Sequence, residues 1–292
     1  VAQGSWSWRN PYPQGNHLNT VHAFDADNAI FLGNHGTTAK LYTGNAVYVN
    51  NLSEFQDIKD VKFVNPVSGY AVGGSGSVYK TTDAGVNWYK MENFPINVSP
   101  YAVDFINEDI GWVVGASGKV FKTTDAGNSW NEQFPGQSKL LKSIDMINDQ
   151  LGWIVGEEGL VLKTVNGGSS WSVVSFGITN TLNDVFFLDA DNGFIVGDSG
   201  KLYRTDNGST FTILSMGSSS YTGFSIFFLN YDLGWITTPS HILRTTNAGN
   251  NWTAVPSGQS SNQWVRDVKF VDELNGWACT DGGGISKTTD GG

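Results

Sequence analysis

The sequence predicts an all-β protein, a seven-bladed β-propeller of four-stranded antiparallel blades, and three observations predict it. A unit close to 41 residues long recurs along nearly all of the 292 residues. No segment sustains the 3.6-residue apolar period of an amphipathic helix, whereas short β-branched and aromatic runs bounded by Gly, Asn, Asp or Ser are frequent. The two chain ends read as complementary parts of one further unit.

The first turn of each unit supplies the alignment. NPVSGYAVG (65–73), NEDIGWVVG (107–115), NDQLGWIVG (148–156), DADNGFIVG (189–197), NYDLGWITT (230–238) and DELNGWACT (272–280) follow a divergent first copy, DADNAIFLG (25–33). Their aromatic position runs Tyr70, Trp112, Trp153, Phe194, Trp235 and Trp277, in steps of 42, 41, 41, 41 and 42 residues, with Ile30 in the first copy. Within one unit, YAVDFIN, GWVVG, KVFKTT and SWNEQF are the four strands. The units fall near 18–55, 56–98, 99–139, 140–180, 181–221, 222–262 and 263–292, and together make a single propeller domain over 1–292. The last copy stops at KTTDGG (287–292), before its Trp and its fourth strand. The opening GSWSWRNPYP resembles what should follow, so residues 4–13, around Trp6 and Trp8, are expected to complete the last blade. That pairing removes two open sheet edges.

Between third and fourth strands lies a second motif: KTTDAGVNW (80–88), KTTDAGNSW (122–130), KTVNGGSSW (163–171) and RTTNAGNNW (244–252). A tight hairpin explains it. Gly85, Gly127, Gly168 and Gly249 supply positive φ. Asp83 and Asp125, with Asn166 and Asn247 in their place elsewhere, accept bonds from stranded backbone N–H groups. Trp88, Trp130, Trp171 and Trp252 cover the loop. Asn for Asp preserves an acceptor and abolishes a general base, which makes the motif scaffolding. Asp206, in a copy one residue shorter with Phe211 for Trp, and Asp290, in the final copy, are assigned the same role. The aromatics after Gly are expected between blades.

These residues resemble the Asp-box of the bacterial neuraminidase repeat, S/T-x-D-x-G-x-x-W. The longer unit, with GWVVG and GKVFKTTDAGNSW, is similar to the seven-bladed family typified by the photosystem II assembly and stability factor. Similar arrays occur in sortilin-type receptors, xyloglucanases and exported Bacteroidota proteins, and the opening WSWRNPYPQGN looks especially like the last group. The resemblance spans nearly the whole chain and implies fold far more strongly than function. It implies an arginine-rich face for the photosystem role, which an acidic chain with four arginines, Arg9, Arg204, Arg244 and Arg266, fits poorly. For sialidase activity it implies three substrate-binding arginines and an Arg-Ile-Pro segment, and no Arg here precedes Ile-Pro.

A net charge of −10 argues against a nucleic-acid or anionic-membrane partner. The lone Cys279 excludes an internal disulfide and a cysteine zinc site. No apolar run reaches the ~18 residues a membrane span needs, and Val1-Ala2-Gln3 reads as a mature, cleaved N-terminus. A secreted or cell-surface protein is therefore expected, with the periplasm as a variant and a larger secreted chain as a setting. No metal and no cofactor is expected. DADN at 25–28 and 189–192 lacks the spacing and closing Glu of a calcium loop, and His17, His22, His35 and His241 fall in different blades or on opposite strand faces.

The candidate binding surface is the rim shared by the inter-blade loops and the second-to-third-strand turns. Trp264 is the one Trp outside the repeat pattern. In the other units its place is taken by His17, Asp57, Ser99, Leu140, Thr181 and Thr222. An unrepeated Trp on a loop is a stacking platform for a partner side chain or a sugar. Arg266, Tyr101, Lys142 and Tyr221 lie on or near the same rim. Glu157, Glu158, Asp198 and Asp281 occupy turns that elsewhere read GGSG and GASG, so the turn itself does not require them. They are the candidate acids for a two-carboxylate glycosidase, and solvated loop charge is the simpler account. The expected function is a non-catalytic module binding a protein partner through this rim. A carbohydrate-active protein, glycan-binding or hydrolytic, is the alternative.

Overall fold

In a computed structural model the described residues are all but 1–4, 9–14, 43–45, 53–55, 96, 176 and 258–262, with backbone alone for 46–51. Much of the expected completing segment 4–13 and of the loop before Gln263 therefore lies outside the described residues. Seven four-stranded antiparallel sheets follow one another, a seven-bladed propeller. The first strands of the seven blades are Leu18–Ala23, Ile58–Phe63, Pro100–Phe105, Leu141–Met146, Leu182–Phe187, Ile226–Phe228 and Val265–Phe270. Single 3-10 turns at Asn34–Gly36, Ala116–Gly118, Glu157–Gly159 and Asp281–Gly283 join second to third strands. Trp6–Trp8 pairs with Ile285–Thr288 as the fourth strand of the last blade, and the Asp290 carboxylate accepts the Ser5 N–H at 2.8 and 2.9 Å. The last, truncated Asp loop thus captures the first described residue of the chain.

The chain forms two compact units, Val1–Asp57 with Val196–Arg204 and Thr212–Gly292, and Ile58–Ile195 with Thr205–Phe211. Blades one, six and seven belong to the first and blades two to four to the second; blade five is divided. In both units the apolar core lies between adjacent blades, as with Tyr70, Val103, Phe105 and Phe121 in the second, or Trp235, Val268, Phe270 and Ala278 in the first.

The Gly-aromatic turn has a packing reason. Gly276 pairs with Phe270 across the ladder, and the Phe270 ring lies flat over the space a side chain would fill. Trp235 of the preceding blade stacks on the ring at 3.5 Å and 11°, and Trp6 meets its edge at 5.6 Å. Tyr70 on Phe105 and Trp153 on Phe187 repeat the stack in the second unit. A Cβ on Gly276 would sit 2.5 Å from Phe270, whose ring cannot retreat from Trp235. Gly276→Ala is expected to cost about 1–2 kcal/mol, read as a lower urea midpoint at constant m-value.

The Asp loops are hydrogen-bonded hairpins. Thr81 Oγ donates to Asp83 at 2.9 Å and accepts the Gly85 N–H at 2.9 Å, while Asp83 accepts the Asn87 N–H at 2.9 Å. Hydrogen bonds from Ser129 and Thr123 hold the Asp125 carboxyl below its ordinary range, in keeping with an ionised acceptor. Asn166 and Asn247 accept the Ser170 and Asn251 N–H groups alike. One assignment is corrected: in the short copy the acceptor is Asn207, bonded by Thr205, Ser209 and Thr210, and not Asp206. Asn207 follows Thr205 by two residues as Asp83 follows Thr81, so the missing residue falls after the acceptor and leaves its place in the motif unchanged.

Side chains at fixed repeat positions also tie neighbouring blades together within each unit. Lys122 lies over Trp112 at 4.6 Å and donates to the Gly167 carbonyl of the following Asp loop at 3.1 Å. Lys163 reaches Gly208 O at 2.8 Å, and Arg204 reaches Ala248 O at 3.0 Å. Along the first strands, Asp60, Asp104 and Asp145 accept the Val103, Met146 and Phe187 N–H groups of the next blade at 2.9, 2.7 and 2.5 Å. Asp267 accepts Val21 N–H at 3.0 Å in the first unit. In the second unit Lys62 pairs with buried Asp104 at 2.7 Å.

Candidate functional site

Among the described ladders, five first strands open with a register shift, whereas Ile226–Phe228 pairs without one. The shifts fall at Leu18/Thr20, Ile58/Asp60, Pro100/Ala102, Leu141/Ser143 and Val265/Asp267. A bulge re-aims the extra residue, and that residue is Asn19, Lys59, Tyr101, Lys142 or Arg266. Three of the five are residues expected on the binding rim.

In the first unit this device assembles a compact surface cluster. Trp264, directly ahead of the bulge, keeps 46% of its surface exposed and stacks on Phe224 at 5.5 Å and 29°. The Arg266 guanidinium stands 4.9 Å from the Trp264 ring and 5.0 Å from Phe224. It is pinned there by a two-pronged pair with Asp281, Nε–Oδ1 2.6 Å and Nη2–Oδ2 3.0 Å. Asp281 is itself placed by its N–H, which donates to Trp264 O at 3.0 Å. His17 brings Nδ1 to 3.1 Å from Asp281 Oδ1, and the Gly282 N–H donates to the same nitrogen at 3.1 Å. Nearby in sequence, Tyr221 faces the His241 ring at 6.1 Å.

Of the residues expected on the rim, Trp264, Arg266 and Asp281 meet. Tyr221 contacts His241 instead, and Asp198 sits in the turn that leads to Gly200, whose N–H donates to Tyr221 O. The remaining four belong to the second unit. Tyr101 receives Lys59 over its ring at 3.3 Å, Lys142 donates to Asn183 at 2.8 Å, Glu158 pairs with Lys139 at 2.9 Å, and Glu157 accepts Leu140 N–H at 3.4 Å. Phe224 and His17 were missed. Both carried a signal, since Phe224 stands at the repeat position of Arg266 and His17 at that of Trp264.

The DADN turns are Asx turns. Asp25 accepts the Asp27 and Asn28 N–H groups at 2.8 Å, and Asp189 accepts those of Asp191 and Asn192. Asn65, Asn107, Asn148, Asn230 and Asp272 do the same. Among the described residues no group of three or more His, Cys, Asp or Glu side chains is arranged to hold a metal ion, and no helix is long and apolar enough to cross a membrane.

Comparison with known proteins follows from this geometry. The sequence profile of the photosynthesis system II assembly factor YCF48 family matches residues 88–178 and 169–292. The chain belongs to the YCF48 family. A solved structure described as YCF48 bound to D1 peptide superimposes with a TM-score of 0.82 at 15% identity, covering 99% of this chain and 96% of that one. YCF48 from Cyanidioschyzon merolae gives 0.78 at 16% identity, covering 97% and 98%. A virginiamycin B lyase from Staphylococcus aureus gives 0.84 at 14% identity, covering 98% and 99%, a likeness of fold alone. No curated protein matches the chain by sequence. Membership corrects the expected location. The YCF48 family is that of an assembly factor for photosystem II, whose setting is the thylakoid lumen and chloroplast, not the cell surface or exterior. Four arginines do not keep the chain out of the family.

Proposed function

We propose that the protein is a non-catalytic docking module that holds an extended segment of a photosystem polypeptide against the rim built by Trp264, Phe224 and Arg266. One observation carries this reading: a member of its family, alike over almost the whole chain, is known bound to D1 peptide. The cluster suits that task. Trp264 offers a broad apolar face at low entropic cost, and Arg266 and Asp281 neutralise one another, so a partner meets no unpaired charge. The acids that a hydrolytic reading would need are engaged elsewhere, Asp281 by Arg266 and Glu158 by Lys139.

The test is fluorescence polarisation with a labelled D1-type peptide. Wild-type protein is expected to bind, and Trp264→Ala to weaken binding by roughly 30-fold, the ~2 kcal/mol of a hot-spot aromatic. Tyr89→Ala, at an exposed ring outside the candidate site, serves as the control and leaves affinity unchanged. Equal affinity for wild type and Trp264→Ala would move the docking surface elsewhere, and no binding by wild type would end the peptide reading.

A further inference from the structure

Asp281 Oδ1 faces two groups that compete for it, and only one of them titrates. Arg266 Nε donates to it at 2.6 Å, and His17 Nδ1 lies 3.1 Å away. That nitrogen is simultaneously the acceptor for the Gly282 N–H at 3.1 Å. Neutral His17 satisfies Gly282 with the Nδ1 lone pair and then presents no donor to Asp281, so the carboxylate serves Arg266 alone. A proton on Nδ1 reverses both relations. The imidazolium can no longer accept from Gly282, and it becomes a donor aimed at an oxygen already taken by Arg266.

We propose that His17 is a proton-operated latch on the Trp264 platform. In the neutral state Asp281 clamps the Arg266 guanidinium over the Trp264 and Phe224 rings. In the protonated state Asp281 is shared between two cations, Gly282 releases its N–H, the net charge of the cluster rises from zero to plus one, and Arg266 shifts on the rings it covers. The charged groups facing His17 are Asp281 on the turn Asp281–Gly283 and Arg266 on the strand Val265–Phe270. On that strand Asp267 is committed to Lys269 at 3.2 Å and to Val21 N–H. The adjacent turn of blade one carries His35, whose N–H donates to Asp57 at 2.9 Å. His22, on the strand that follows His17, meets the Phe24 ring edge-on at 4.8 Å. His17 is half-exposed, so protons reach it without any opening of the fold. The latch acts on the docking surface and takes its functional meaning from that reading.

The coupling is measurable with no partner present, which keeps its failure separate from failure of peptide docking. In isotopically labelled protein the Trp264 indole N–H, assigned by its disappearance in Trp264→Phe, is followed from roughly pH 5 to pH 8 together with the His17 ring. The expected result is that both move along the same single-proton curve. The Trp264 movement should be lost in His17→Gln, which still offers Gly282 an acceptor, and in Asp281→Asn. A Trp264 resonance that stays still while His17 titrates overturns the latch, as does one that titrates unchanged in His17→Gln.

Discussion

Replacing Lys62 by methionine is expected to lower the unfolding free energy by about 3 kcal/mol near pH 8. That is the low end of what is lost when one member of a buried pair is removed. Lys62 is the cation that faces the first-strand acids Asp104, Asp145 and Asp60 of the second unit. It pairs with Asp104 at 2.7 Å, and Asp104 keeps only 3% of its side-chain surface exposed. The Asp104 carboxylate raises the Lys62 pKa above its ordinary value, against burial, which lowers it, with Asp145 and Asp60 adding to the rise. Methionine matches the stem in length but leaves Asp104 and Asp145 facing one another uncompensated. Lys62 retains 41% side-chain exposure, so water screens part of the loss and the upper range does not apply. Urea unfolding followed by tryptophan fluorescence reads the effect. In the double variant Lys62→Met/Asp104→Asn most of the stability should return, since the orphaned charge is gone. Equal midpoints for wild type and Lys62→Met would show that the pair contributes nothing.

The fold was legible because a propeller writes its period into the chain. Tyr70, Trp112, Trp153, Phe194, Trp235 and Trp277 recur at the beat of one blade, and each is fully buried. The closing strand at Trp6–Trp8 was legible from a repeat cut short at one end and resumed at the other. What the repeat did not disclose was why its positions are filled as they are. The Gly before each aromatic opens the second strand in the repeat, and only the structure shows that Gly276 leaves room for the Phe270 ring. Lys122 and Lys163 were read as ordinary strand residues, whereas each bonds a carbonyl of the next blade's Asp loop. Asp60, Asp104 and Asp145 drew no notice at all. Their task, accepting a backbone N–H some 42 residues on, exists only between blades and leaves no local pattern.

The candidate site was half legible for a similar reason. Trp264 stood out by breaking the repeat, and Arg266 and Asp281 by position. The bulge that lifts Arg266 to the rim is a two-strand property, invisible along one strand. Phe224 and His17 share the repeat positions of Arg266 and Trp264, but their roles come from stacking on Trp264 and from approaching Asp281. Location was misjudged because nothing in composition or repeat pattern names a compartment; family membership supplied that correction.

Asp145→Asn is expected to do the reverse of Lys62→Met and stabilise the protein, by about 2 kcal/mol at pH 8 and progressively less toward pH 4. Burial pushes the Asp145 carboxyl up to about 7, the Asp104 carboxylate adds to the rise, and Lys62 opposes it. Between the ordinary carboxyl value and about 7 the folded protein holds a proton that the unfolded chain has released. With more protons bound in the native state, stability falls as pH climbs through that window and stays low above it. Asparagine keeps an oxygen for the Phe187 N–H, which Asp145 accepts at 2.5 Å, and removes only the charge. The variant and wild type should therefore converge in mild acid and diverge above neutrality. Wild-type stability should itself decline from about pH 5 to pH 8 over the part of the curve that this one group controls. Thermal melts of both proteins across that range decide the matter. Parallel curves, or a variant less stable at pH 8 than at pH 5 relative to wild type, would mean that Asp145 is ionised without penalty and that the Asp104–Lys62 pair does not reach it.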